Sequence, residues 1–210
     1  MTTIRLLGRI ASINVRKVMW VCDELDLDCV REDWGIGFKP LDTPEYRALN
    51  PNALVPVISD GDFVLWESNA IIRYLANAYG AQKNLGLYPA SPRERARIDQ
   101  WMDWQATDLN RAWTYAFMGV TRSSPDHTDP AQIAASWKSW TEKLAILDAR
   151  LAETGAYAAG LEFSLADIVL GLSVHRWRST PLDHADLPHI AAYYERLSQR
   201  PGFAAVTTVP

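Results

Sequence analysis

Val55-Pro-Val-Ile-Ser59 and Phe63-Val-Leu-Trp66 are short apolar runs separated by Asp60-Gly61, and a helical stripe follows at once. Asp-Gly between apolar strands predicts an antiparallel hairpin with a tight turn. The stripe, made of Ile71, Ile72, Leu75, Ala78 and Tyr79, is bounded by Ser68 as N-cap and Gly80 as stop. Residues 3–7, Thr-Ile-Arg-Leu-Leu, read as a strand. Val15, Val18, Met19, Cys22 and Leu25 recur at helical spacing, and 28–33 read as a second strand. Gly35, Gly37, Pro40, Pro44 and Pro51 mark 34–52 as loop and short helix. Residues 1–80 therefore read β-α-β-loop-β-β-α, the layout of a thioredoxin-like α/β domain with a four-stranded mixed sheet.

Residues 81–91 read as a linker, and 92–210 as an all-helical C-terminal domain. Ser91-Pro-Arg-Glu94 is a capping box with proline at the first helical position, opening a helix expected to reach about Met118. Asp129-Pro-Ala-Gln132 repeats the start signal for a helix carrying Ile133, Trp137, Trp140, Leu144 and Leu147, ending near Gly155. Ser164-Leu-Ala-Asp167 opens another, and Pro188 the last, which Pro201-Gly202 is expected to end.

With 210 residues the chain has room for two small domains. Its net charge is −4 and its basic residues are scattered, which argues against a nucleic-acid groove. No apolar run approaches the roughly 20 residues that span a bilayer, and Met1-Thr-Thr-Ile-Arg-Leu-Leu-Gly8 lacks a signal peptide's apolar core. The expected location is cytoplasmic. Cys22 and Cys29 are spaced neither as a redox pair nor as half of a zinc site. They read as inert buried thiols, and no metal is expected.

Two stretches carry chemistry. Ser68 at a helix N-terminus offers a hydroxyl, and unpaired amides there favour an anion. Glu67 beside it suits an ammonium, so the pair would grip an α-amino acid head group by both charges. The competing reading is a plain cap beside a solvated glutamate. Pro56 at the head of a strand cannot donate a ladder bond, and a cis Val55–Pro56 bond would turn the main chain of Val55 toward a ligand. In Ser12-Ile-Asn14-Val-Arg-Lys17, the Ser12 hydroxyl or the Asn14 amide either caps the first helix or donates to a thiolate. Both are compatible with the pattern.

Ser12-Ile-Asn-Val-Arg-Lys17, Asn50-Pro-Asn-Ala-Leu-Val-Pro-Val57 and Leu65-Trp-Glu-Ser-Asn-Ala-Ile-Ile-Arg-Tyr-Leu75 closely resemble the cytosolic glutathione transferases, most of all bacterial members akin to the theta and nu classes. Phe163-Ser-Leu-Ala-Asp-Ile168 resembles the structural capping motif of their helical domain, so the likeness spans the chain. It implies glutathione as co-substrate. Val55, beside a cis Pro56, would pair with the cysteinyl part, and Glu67 and Ser68 would hold the γ-glutamyl end. Ser12, or Asn14 as in nu-like members, would stabilise the thiolate. Many relatives carry Lys, Arg or Gln before the Val-Pro for the glycyl carboxylate. Leu54 stands there, leaving Lys39 or Arg16 as substitutes.

The resemblance further implies a detoxifying transferase acting on a small hydrophobic electrophile, and a homodimer. The electrophile is expected in an apolar pocket between the domains, with Trp34, Trp113, Tyr115, Phe117 and Trp177 as candidate walls or as core. A glutathione-dependent disulfide or peroxide reductase, and a non-catalytic binding or assembly module, are the competing functions.

Overall fold

The computed structural model describes residues 3–80 and 86–208. By contacts the chain divides into Met1–Tyr88 with Arg200–Val209, and Pro89–Gln199. Of the expected linker, 81–85 lie outside the described residues.

The first unit is the expected mixed sheet. β1 (Ile4–Leu7), β2 (Cys29–Glu32), β3 (Val57–Asp60) and β4 (Phe63–Trp66) lie in the order β2-β1-β3-β4. β1 pairs parallel with β2 and antiparallel with β3, and β3 pairs antiparallel with β4. Asp60 still pairs with Phe63, so Gly61 (φ +62) and Asp62 make the turn, one residue later than expected. The helices are α1 (Ile13–Glu24), α2 (Pro44–Leu49) and α3 (Ser68–Tyr79). Leu7 and Val57 pack with Tyr46 of α2 and with Trp34, Leu41 and Leu49. Ile4 and Leu6, which strand alternation turns to the other face, are equally buried.

The second unit is helical among its described residues. α4 (Pro92–Trp104) runs through a π turn at Gln105–Leu109 into α5 (Asn110–Val120). The long helix is thus continuous but bulged, with buried Gln105 donating to Asn110 Oδ1 (2.9 Å) and Ser173 Oγ (3.0 Å). α6 (Pro130–Thr154) starts on Asp129, whose carboxylate accepts from the amides of Ala131 and Gln132, and ends on left-handed Gly155. α7 (Leu165–Ser179) has the expected Ser164/Asp167 capping box and is buried on all sides from Leu165 to Trp177. α8 (Pro188–Ser198) packs on α6 and α7.

Pro201-Gly202 does not end the helical part of the chain. Proline at the first position opens a further helix, α9 (Pro201–Val206), which belongs to the first unit and not to the helical domain in which 92–210 was placed. The reason is tertiary. Phe203 packs on Trp20 of α1 (ring centroids 4.8 Å), and the Arg200 guanidinium sits on Glu24. A Cβ at Gly202 would lie 2.6 Å from Trp20 Cδ1, so only glycine admits this approach. Among the described residues no helix is long and apolar enough to cross a membrane.

Candidate active site

The site forms where two helix N-termini and the segment before β3 meet in the first unit. Gly8 (φ +152) ends β1, and a Cβ there would collide with Val15 Cγ2 and lie 3.1 Å from Val55 Cβ. Its absence lets the start of α1 close on Val55.

Ser12 is the N-cap residue of α1, with extended backbone and a carbonyl that accepts from the Arg16 amide (3.1 Å). Its hydroxyl makes no capping bond. Asn14, in the first turn, makes no side-chain hydrogen bond among the described residues. Of the two readings open for these residues, capping is therefore not the one their side chains adopt. Both donors are uncommitted beside the unpaired amides of a helix start.

α3 starts similarly, with one correction. The N-cap residue is Glu67, not Ser68, which occupies the first helical position. Glu67 holds φ +75, ψ +107, a conformation that costs a non-glycine residue about 1–3 kcal/mol and is concentrated at functional sites. Ser68 is 3% exposed, and its hydroxyl has no hydrogen-bond partner among the described residues.

Between them lies Val55, joined to Pro56 by a cis bond. The Leu54 carbonyl accepts from Tyr46 Oη (2.9 Å) and Asn50 Nδ2 (2.8 Å). Desolvation pushes the Tyr46 phenol up to about 12, so it stays a donor. In a trans peptide the N–H points opposite to the C=O. Pinning the Leu54 carbonyl inward thus turns the Val55 N–H outward, and no described residue bonds to the Val55 main chain.

These pieces line a pocket of about 300 Å³ formed by Asn14, Asn50, Asn52, Leu54, Val55, Pro56, Trp66, Glu67 and Ser68. Of the residues expected in a site, it gathers Asn14, Val55, Pro56, Glu67 and Ser68. Ser12 is two residues from Asn14 but is not part of the lining.

Lys39 is also outside it. Its ammonium lies 3.2 Å from Glu32 Oε2 and 5.0 Å from the Trp34 ring centroid. Arg5 above all, then Lys39 and Trp34, hold the Glu32 carboxyl down to about 2. Arg16 is no substitute either, being fully buried with Nη1 on the Val206 carbonyl (3.2 Å). Among the described residues, none that lines the pocket is cationic. The two helix starts turn their positive ends to the pocket, and Lys17 lies buried with Nζ 3.2 Å from Asn69 Oδ1 in the first turn of α3.

Asn50 and Asn52, in the stretch read from sequence as loop and short helix, also line the pocket. Their Asn-Pro-Asn spacing is the signal that marks them, with Asn50 Oδ1 accepting from the Asn52 amide (3.0 Å). Of the five candidate pocket walls, two are buried in the core and Trp34, Trp113 and Tyr115 are half-buried. Trp34 packs on Tyr46, and Phe117 and Trp177 are buried in the helical unit. Trp113 lies under Arg176, and the Tyr115 hydroxyl accepts from the Asp129 amide.

The pocket thus offers outward main-chain groups, two uncommitted hydroxyl or amide donors and one carboxylate, a set suited to a peptide-like ligand carrying both charges. Residues 6–83 match the model for the glutathione S-transferase N-terminal domain, and 130–196 that for the C-terminal domain. Glutathione S-transferase GstB of Escherichia coli K12 is 36% identical over 209 residues, 99% of each chain. The chain belongs to the glutathione S-transferase family. Glutathione S-transferase 3 of Zea mays is 31% identical across all of this chain and 96% of its own. The theta class glutathione S-transferase of Xanthomonas axonopodis pv. citri, solved with glutathione bound, is 41% identical, with a TM-score of 0.92 over 100% of this chain and 99% of that one. Family membership agrees with the order of the parts: a polar first loop, Val-Pro, Glu-Ser, then a helical unit with its Ser/Asp capping box. Among the described residues no cluster of three or more His, Cys, Asp or Glu is arranged to hold a metal ion.

Proposed function

We propose that this chain binds glutathione in the pocket between the starts of α1 and α3 and ionises its thiol for attack on a small hydrophobic electrophile. The supporting observation is that Ser12 and Ser68 both stand at helix starts, yet neither hydroxyl caps its helix or bonds elsewhere among the described residues. Glu67 takes the α-ammonium of the γ-glutamyl end, Ser68 and the α3 amides its carboxylate, and Val55 pairs with the cysteinyl main chain beside Pro56. The thiol then lies toward Asn14 and Ser12. Lys39 reaches the glycyl carboxylate only by leaving Glu32, so it contributes less than a dedicated cation would.

A free thiol with a pKa near 8.5 is roughly 3% ionised at pH 7. Lowering the pKa by about two units needs about 2.7 kcal/mol. One hydrogen bond to a charged acceptor supplies about 1.5–3 kcal/mol, and a helix start adds about 0.3–1. One of the two side chains plus the α1 amides is therefore sufficient. The thiolate attacks the electrophilic carbon, and the leaving group departs with its electron pair. Asn14, which lines the pocket with an uncommitted amide, favours a second reading: the same thiolate attacks a disulfide or peroxide.

A cytoplasmic homodimer is part of the proposal. The homodimer is supported by the edge strand β4, which leaves Phe63 (45%) and Val64 (37%) exposed.

Ser68→Ala tests the binding mode. The hydroxyl has no internal partner, so the fold loses little, and calorimetric titration with glutathione is expected to show affinity weakened about 10–100-fold, the worth of one charge-assisted hydrogen bond. Unchanged affinity would remove the γ-glutamyl carboxylate from this helix start.

A further inference from the structure

The pocket treats the parts of a peptide-like ligand unequally. Glu67 and Ser68 line it at the start of α3, Asn14 lines it from α1, and Val55 stands between them. With the γ-glutamyl end on α3 and the cysteinyl part on Val55, the lining left for the glycyl residue is Asn50, Asn52 and Leu54.

A hydrogen-bond network fixes what those residues present. Asn50 is 3% exposed, and its Nδ2 donates to the Leu54 carbonyl (2.8 Å), which leaves Oδ1 as its acceptor. That oxygen takes both the Asn52 amide (3.0 Å) and Asn52 Nδ2 (3.1 Å). The nitrogen of the Asn52 side chain is thereby committed, and its Oδ1 accepts from no described residue. Leu54 beside it is 63% exposed. Arg47, the cation nearest in sequence, lies outside the lining with Nη1 on the Pro51 carbonyl (3.3 Å), and Lys39 is held on Glu32. This end therefore offers an acceptor oxygen, an apolar side chain and no cation. A carboxylate is acceptor-only and gains nothing from an acceptor oxygen, whereas an amide brings an N–H to it.

We propose that the site does not read the glycyl carboxylate by charge, and that its co-substrates include thiol tripeptides whose glycyl end is capped as an N-alkyl amide, bound as readily as glutathione itself. The inference rests on the assignment of this pocket to glutathione. The capping N–H donates to Asn52 Oδ1, and the alkyl group runs along Leu54 into solvent, where the exposure of both residues leaves room for it.

The test is calorimetric titration of the whole protein with glutathione and with its glycyl N-ethylamide. The expected result is a dissociation constant for the amide within about threefold of that for glutathione, or lower. A site with a dedicated cation would instead favour the free carboxylate about tenfold or more. Leu54→Lys supplies the missing charge at an exposed position, and it is expected to shift the ratio of the two constants toward glutathione about two- to fivefold, the worth of an exposed ion pair. Glutathione bound more than about threefold tighter than the amide by the wild type would overturn this inference and leave the pocket assignment standing. An unchanged ratio in Leu54→Lys would overturn the placement of the glycyl end beside Leu54. Failure of both thiols to bind would overturn the pocket assignment, and this inference with it.

Discussion

Replacing Ser12 and Asn14 together by alanine is expected to lower kcat/KM for conjugation about a hundredfold or more, while the melting temperature stays close to wild type. The two halves of this expectation share one observation. An N-cap serine ordinarily contributes about 0.5–2 kcal/mol through its side-chain bond to the helix amides, but Ser12 makes no such bond. Its loss is therefore cheap for folding and costly only if the hydroxyl serves a ligand. A hydrogen bond to a thiolate is worth about 1.5–3 kcal/mol, which is about 10–100-fold in rate at 1.36 kcal/mol per decade. The single variants identify the sulfur contact, because the larger loss belongs to the group that touches it. Losses under about tenfold in both singles, measured by steady-state kinetics with an aryl halide and with a model disulfide, would count against activation at the start of α1.

The largest expected effect on stability lies far from that chemistry. Asp167→Ala should cost about 3–5 kcal/mol, read by urea unfolding. Asp167 is fully buried. One carboxylate oxygen accepts from the Ala158 amide (3.0 Å) and the Tyr193 hydroxyl (2.9 Å), the other from the Ser164 amide (2.9 Å) and hydroxyl (3.0 Å). Removing it strands these donors in the interior at the start of α7, whose buried face organises the helical unit. Burial raises the Asp167 pKa despite these bonds. The folded value thus lies above the unfolded one, so the stability that Asp167 contributes by titrating is fully present below the unfolded pKa and is lost as pH rises through the folded pKa. The gap between wild type and Asp167→Ala should accordingly be wider near about pH 4 than near about pH 8.

What local pattern could and could not reveal follows from where each decision is made. The hairpin, the Asp129 cap and the Ser164/Asp167 box depend on neighbours within a few residues, and they are found as expected. Pro201-Gly202 has the same local signature whether it stops one helix or opens another. Trp20, some 180 residues away in sequence, decides the matter by lying against Gly202. Ser68 satisfies every local rule for an N-cap, yet the exit from β4 puts Glu67 there at positive φ. In the site, Val-Pro and Glu-Ser are short enough to read directly. The capture of Lys39 by Glu32 and the burial of Arg16 against α9 are long-range facts. They take both expected cationic substitutes for Leu54 away from the pocket.

Ultraviolet difference absorption near the thiolate band, followed as glutathione is titrated into the protein across pH, tests thiol ionisation inside this pocket most directly. The predicted result is a saturable thiolate signal whose apparent pKa falls well below the free value of about 8.5, and which Ser12→Ala with Asn14→Ala returns toward it. Saturable binding with no thiolate signal at neutral pH, or no binding at all, would contradict it and leave the chain a binding or assembly module on a transferase fold.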